Sequence, residues 1–197
     1  MPLFNKKRVT IESQLAALAE IGLTLNPGVG EEQLTRSDDR RSLESPPYRG
    51  LIEVMGMDLE EEPYTPLCDR LWMCDVERVE DHGDYVEVLE RLERMTSNAL
   101  DLSHVKDHVD LEEGVAWLEF EHEGQRVRWD FRIDDDWLDP TVLTRYDGLL
   151  GASGSRVRIY SNHRDYGQVA FLAAFEPDQK KRFDQLSRIR LSRLPRG

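Results

Sequence analysis

The spacing of apolar residues along the chain separates helical from extended blocks. Ile11, Leu15 and Leu18 recur at the period of one helix face, with Thr10 where an N-cap belongs and Gly22 where a helix stops, so a helix is predicted over 11–21. Asn26-Pro27-Gly28-Val29-Gly30 is turn chemistry, and the polar stretch Glu31 to Ser45 leaves room for at most a short helix. Pro46 and Pro47 lack amide protons that a first helical turn does not need. They predict a helix through Met55, closed by Gly56, with Tyr48, Leu51, Ile52 and Met55 on its apolar face. Val88, Leu89, Leu92 and Met95 give the same period over a helix capped by Asp84. Two more helices are predicted: one from Asp139-Pro140 to Gly151, carrying Val142, Leu143, Tyr146, Leu149 and Leu150, and one from near Pro177, carrying Phe183, Leu186 and Ile189.

Between these blocks the period falls to two. Val127, Trp129, Phe131 and Ile133 alternate with Arg126, Arg128, Asp130 and Arg132, which demands a half-buried antiparallel strand over 125–133. Val115 to His122 is its partner across Glu123-Gly124, a two-residue hairpin turn. Leu71 to Val76 is bulky and partly alternating, and Val157 to Tyr160 with Gln168 to Phe175 form a last pair around a turn from Asn162 to Gly167. The prediction is an α+β fold: a mostly antiparallel sheet of about five strands packed with four to five helices. A single domain over 11–190 is expected, flanked by a basic extension at 1–10 and a basic tail at 191–197.

Composition changes this picture mainly through charge. The 197 residues carry 26 Lys+Arg against 39 Asp+Glu, a net −13. Lys6, Lys7 and Arg8 make the start basic, and seven basic residues against Asp184 alone make the stretch from Lys180 onward basic too. Residues 11–179 therefore hold 16 basic against 38 acidic groups, a net −22. Such a body is unsuited to nonspecific nucleic-acid binding, which needs cations to displace counterions from phosphate. The basic end from Lys180 to Arg196 lacks the aromatic-anchored apolar face of a membrane-surface helix; it either folds back onto the acidic body or forms a solvated helix face. No signal-like apolar segment opens the sequence, and the longest apolar run, Val169 to Phe175, is too short to span a bilayer. A soluble, cytoplasmic protein without nucleic-acid or membrane partners is expected. Cys68 and Cys74, five residues apart, fit neither a metal nor a redox motif and read as buried thiols in a reducing compartment.

Few clusters offer chemistry. On a helix His104 and His108 would face the same way one turn apart, and Asp107 or Asp110 could complete a divalent-metal site; in a strand the two histidines lie roughly 13 Å apart, too far for one ion. Asp134, Asp135 and Asp136 offer carboxylates for Mg²⁺, Ca²⁺ or acid/base work, but Asp139 looks like a helix cap and Trp137 like a core anchor. Asp81-His82 suggests a proton relay without an assignable nucleophile, and Gly151-Ala152-Ser153-Gly154-Ser155 lacks phosphate-loop spacing. No catalytic residue and no cofactor is assigned.

The order of several short motifs carries a resemblance: Pro47-Tyr48, Asp81-His82-Gly83-Asp84-Tyr85, Trp117-Leu118-Glu119-Phe120, Asp135-Asp136-Trp137 with Asp139-Pro140, and Gly167-Gln168. Over about residues 11 to 190 the chain resembles small bacterial proteins similar to the immunity proteins of polymorphic or contact-dependent toxin systems. The resemblance implies a non-enzymatic cytoplasmic protein that binds and neutralises a cognate toxin. It assigns no toxin-binding residue. The acidic surface fits a basic protein partner, and the partner-binding residues expected from charge are Asp58, Glu60, Glu61 and Glu62 together with Asp134, Asp135 and Asp136. The alternatives are a metal-dependent hydrolase built on His104, Asp107, His108 and Asp134 to Asp136, and a structural domain with at most a homo-oligomeric partner.

Overall fold

The computed structural model of the protein describes residues 9–36, 39–62, 64–162 and 167–195. Helices and antiparallel strands mix along these residues in an α+β arrangement and gather into two compact units. One contains the described residues of Met1–Trp72 and Asp178–Arg190, the other those of Met73–Pro177 and Leu191–Gly197.

In the first unit, α1 (Ile11–Ala19) starts where Thr10 predicts: the Thr10 hydroxyl accepts the Ser13 N–H at 3.3 Å. Gly22, at a φ of +83°, turns the chain so that the Leu23 N–H reaches back to the Leu18 carbonyl at 3.1 Å. Ile11 and Leu18 are buried, but Leu15 is only half-buried, and the third buried position is Gln14. Its carboxamide donates to the Leu43 carbonyl at 3.0 Å and accepts the Tyr48 N–H, satisfying two backbone groups that packing removes from water. The polar stretch holds two short helices, α2 (Glu31–Leu34) and α3 (Arg40–Glu44), where at most one was expected. Arg40 reaches Glu12, Glu31 and Glu44 and so joins three helices. Pro46 and Pro47 do not open the next helix: they occupy the turn before it, Tyr48 sits at its N-cap with a φ of +72°, and α4 spans Arg49–Met55.

The second unit holds nearly all of the strands; Leu71 and Trp72, which open the first of them, fall in the other unit. β1 (Leu71–Asp75), β5 (Arg158–Asn162), β6 (Val169–Phe175) and β7 (Ser192–Arg193) form one sheet in the order β1-β6-β5-β7, with β5 antiparallel to both β6 and β7. β6 is buried from Ala170 to Phe175, which explains why its sequence is a continuous apolar run. β2 (Ser103–Asp110), β3 (Val115–His122) and β4 (Gln125–Phe131) form the other sheet. Its β3–β4 hairpin turns through Glu123 and Gly124 at φ +50° and +72°, the two positive values that a tight primed turn requires. Leu118, Phe120, Trp129 and Phe131 line the buried face, against which α5 (Asp84–Met95) and α6 (Thr141–Ala152) pack. On the opposite face Glu119 sits between Lys106 at 3.0 Å and Arg126. Hydrogen bonding to Arg126, with Lys106 adding to it, holds its carboxyl below the usual range.

Against the roughly five strands expected, the described residues hold seven; β2 and the two-residue β7 were not assigned from sequence. The basic stretch from Lys180 is tied down at several points. In the first unit α7 (Pro177–Ser187) pairs Lys180 with Asp184 and Arg182 with Glu20; in the second, Arg193 on β7 lies 3.7 Å from Asp147. The expected turn at 162–167, the basic residues Lys6, Lys7 and Arg8, and Arg196 fall wholly or mostly outside the described residues. No described helix is long and apolar enough to cross a membrane.

Candidate functional site

The acidic corner at the end of the β4 hairpin strand is built by a backbone clasp. Leaving β4, the chain runs beside the segment that follows β1: the Asp136 carbonyl accepts the N–H groups of both Arg78 and Val79 at 2.9 Å, and the Leu138 N–H donates to the Val76 carbonyl at 2.7 Å. Within the corner the Trp137 N–H closes on the Asp134 carbonyl at 3.1 Å, around Asp135 at a φ of +56°. Aspartate tolerates that left-handed conformation better than most residues, which helps explain an aspartate at the tip. Asp139 fastens the base of the loop, its carboxylate accepting the N–H of Arg132 at 2.9 Å and of Thr141 at 2.8 Å. The cap expected of Asp139 is therefore made, although the helix proper begins two residues later. The Asp139 N–H donates to the Tyr85 hydroxyl oxygen at 3.2 Å. Tyr85 is stacked on Phe131 with ring centroids 4.1 Å apart, and burial pushes its phenol up to about 12.

This clasp uses backbone groups and leaves the side chains of the corner outside. Asp134 and Asp135 are exposed and Asp136 half-buried, and among the described residues none of the three takes part in an ion pair. Trp137 is not the core anchor its sequence context predicts: 40% of it is exposed, because the bridge between Glu77 and Trp137 turns its side chain away from the core set by Phe131 and Leu138. The corner therefore presents a large amphipathic ring beside three uncompensated carboxylates.

The other expected acidic segment belongs to the first unit. Asp58 bridges to Pro66, the Leu59 N–H donates to the Thr65 carbonyl and the Leu67 N–H to the Met57 carbonyl, so residues 57–59 run beside 65–67. Asp58, Glu60, Glu61 and Glu62 are all exposed, with Glu61 paired to Arg36 at 2.8 Å. Tyr64, 65% exposed, stands two residues past Glu62. Sequence reasoning passed over Tyr64 and misplaced Trp137. The available signal was an aromatic residue set directly beside a run of carboxylates, Asp134 to Asp136 before Trp137 and Glu60 to Glu62 before Tyr64.

The His104, Asp107 and His108 cluster does not assemble. These residues lie on β2, not on a helix. Asp107 is committed to the start of α5, where its carboxylate accepts the N–H groups of Gly83 at 2.7 Å, Tyr85 at 2.9 Å and Val86 at 3.1 Å. His104 faces Glu121, 3.1 Å away, and His108 packs between His82 and Trp117, with ring centroids at 4.6 and 5.7 Å. Asp81-His82 makes no relay either. The His82 Nδ1 lies 3.4 Å from the Asp81 carboxylate but is also the acceptor of the Val109 N–H at 3.2 Å, which ties the ring to the backbone of β2, and no nucleophile is assigned beside it. Among the described residues no group of three or more His, Cys, Asp or Glu is arranged to hold a metal ion. No family model, curated protein or solved structure matches the chain.

Proposed function

We propose that the protein is a non-enzymatic binding protein that docks its acidic, aromatic-bearing corner on a basic protein partner, in the manner of an immunity protein neutralising a bacterial toxin. The observation that carries this reading is Trp137, exposed on a clasped backbone beside Asp134, Asp135 and Asp136. Tryptophan supplies large contact area at low entropic cost and accepts cations on its face, and tryptophan, tyrosine and arginine dominate binding hot spots. Unpaired carboxylates around it attract a cationic partner and speed encounter, while the fixed backbone limits the ordering cost of docking. Tyr64 beside Glu60 to Glu62 repeats the combination in the first unit.

The experiment is co-expression with the product of the neighbouring gene, followed by calorimetry of the purified pair. The expected result is rescue of a host from that product's toxicity, with affinity that falls as salt rises. Asp134→Asn, Asp135→Asn and Asp136→Asn combined should mainly slow association, and Trp137→Ala should speed dissociation and cost about 2 kcal/mol or more. A pair that binds equally well with all four positions changed would overturn the reading, as would a neighbouring product against which the protein gives neither protection nor binding.

A further inference from the structure

A cavity of about 290 Å³ opens between α5, the loop after it and β2, apart from the acidic corner. Leu89, Leu102 and Val105 form its apolar wall, and Glu90, Glu93 and Asp101 line it with carboxylates, next to Asn98. Among the described residues no basic side chain lines it. Its size lies just below the roughly 300–1,000 Å³ of ordinary small-molecule sites, so it suits a single slim group.

Glu93 separates this cavity from an ordinary acidic surface. It is 8% exposed, and two contacts are made by its carboxylate: Oε1 accepts the Tyr146 hydroxyl at 2.6 Å, and Oε2 meets the Leu102 N–H at the long distance of 3.5 Å. Tyr146 is itself buried, and burial together with the bond to Glu93 pushes its phenol well above the ordinary range, so it remains a donor. An ionised carboxylate has about four acceptor positions, and a buried one without a countercharge is costly. Among the described residues none of Glu90, Glu93 and Asp101 is ion-paired, although Glu90 and Glu93 are neighbours on one helix face.

We infer that this cavity is a receptor for one alkyl cation, a guanidinium or ammonium group on a methylene stem. The stem lies along Leu89, Leu102 and Val105; the head donates to a remaining lone pair of Glu93 Oε2, which among the described residues meets only the distant Leu102 N–H, and is held between Glu90 and Asp101. The planar guanidinium fits a set of carboxylates better than a point charge does, so it is the preferred head. This assignment rests on different side chains from those of the acidic corner and stands or falls separately from it.

The test is an amide-detected NMR titration of the full chain with n-butylguanidinium, with 1-pentanol as the neutral counterpart. Saturable shifts at Leu102 and Val105 are expected with n-butylguanidinium and none with 1-pentanol. Glu90→Gln with Asp101→Asn should weaken binding by about tenfold or more, and Glu93→Gln likewise. The first pair of changes lies on exposed side chains and keeps the test available if Glu93→Gln does not fold. A blocked Gly-Arg-Gly peptide distinguishes the source of the cation: binding by the peptide assigns the cavity to a protein partner's arginine, and binding by n-butylguanidinium alone assigns it to a small free cation. Absence of saturable binding by both, or affinity unchanged in the rim variant, overturns the inference.

Discussion

Single side chains carry much of this structure by accepting backbone hydrogens. Asp107 takes three N–H groups from the first turn of α5, a service that sequence assigns to Asp84. Asp84 instead turns back to accept the N–H groups of Glu80 and Asp81. A local cap can be read from spacing; one delivered by a strand more than twenty residues away cannot, because nothing in the helix's own sequence encodes it. Asp107→Ala should lower stability by about 2 kcal/mol in denaturant unfolding, at the upper end of cap losses because three donors are orphaned. An unchanged midpoint would show that water replaces the carboxylate at no cost. Cys74 gives a second test at this scale. It is fully buried, and burial pushes its thiol up to about 12. A thiolate-seeking reagent at pH 8 should leave Cys74 unmodified in the folded protein and label it in denaturant.

Among elements, legibility follows the range of the interactions that fix them. The β3–β4 hairpin, with its two-residue turn and strict alternation, and α5, with four apolar positions at helical spacing, are determined locally and occur where the pattern puts them. β2 is determined by its neighbours. Its sequence, Ser103-His104-Val105-Lys106-Asp107-His108-Val109-Asp110, is nearly as polar as a loop. It becomes a strand because Lys106 faces Glu119, His108 faces Trp117 and Val109 faces Ala116 across the ladder, and because Asp107 is held by α5. The same dependence on partners explains why a metal site seemed available there.

The helices α1, α2 and α3 are joined by Arg40 and therefore depend on pH. Hydrogen bonding to Arg40, helped by Thr10, lowers the Glu12 carboxyl from its ordinary 4.5 to about 2. A carboxyl whose folded value lies below its unfolded one contributes stability above the unfolded value and loses it as pH falls through the folded one. The difference in stability between the wild type and Glu12→Gln should therefore be constant above about pH 5 and shrink between 4.5 and about 2. A difference that persists unchanged at pH 2 would contradict the pairing. Gly22 gives a second element-scale test. A Cβ there would stand 2.8 Å from Gln179 Nε2 at a φ of +83°, so Gly22→Ala should cost about 1 kcal/mol, chiefly through the backbone because the end of Gln179 can move aside.

At the scale of the whole chain, a net charge of −13 is compatible with heavily paired and wholly unpaired carboxylates alike. The structure distinguishes them: Glu12, Glu20, Glu119 and Asp184 have cationic partners, whereas Asp134 to Asp136, Glu90, Glu93 and Asp101 have none among the described residues. The candidate corner was legible as charge but not as a surface, since whether Trp137 turns inward or outward depends on the clasp with residues 76–79. Which distant stretches of the chain meet was not legible at all. Arg182 meets Glu20 across 162 positions, and a pairing so distant leaves no periodic trace. It does leave a mark on biogenesis. The unit that holds α1 to α4 receives the body of α7 only with residues 178–190, so α1 to α4 leave the ribosome without that helix while residues 73–177 are being made. Nascent chains halted before residue 178 should thus expose to chaperones and proteases the surface that Phe183 later covers.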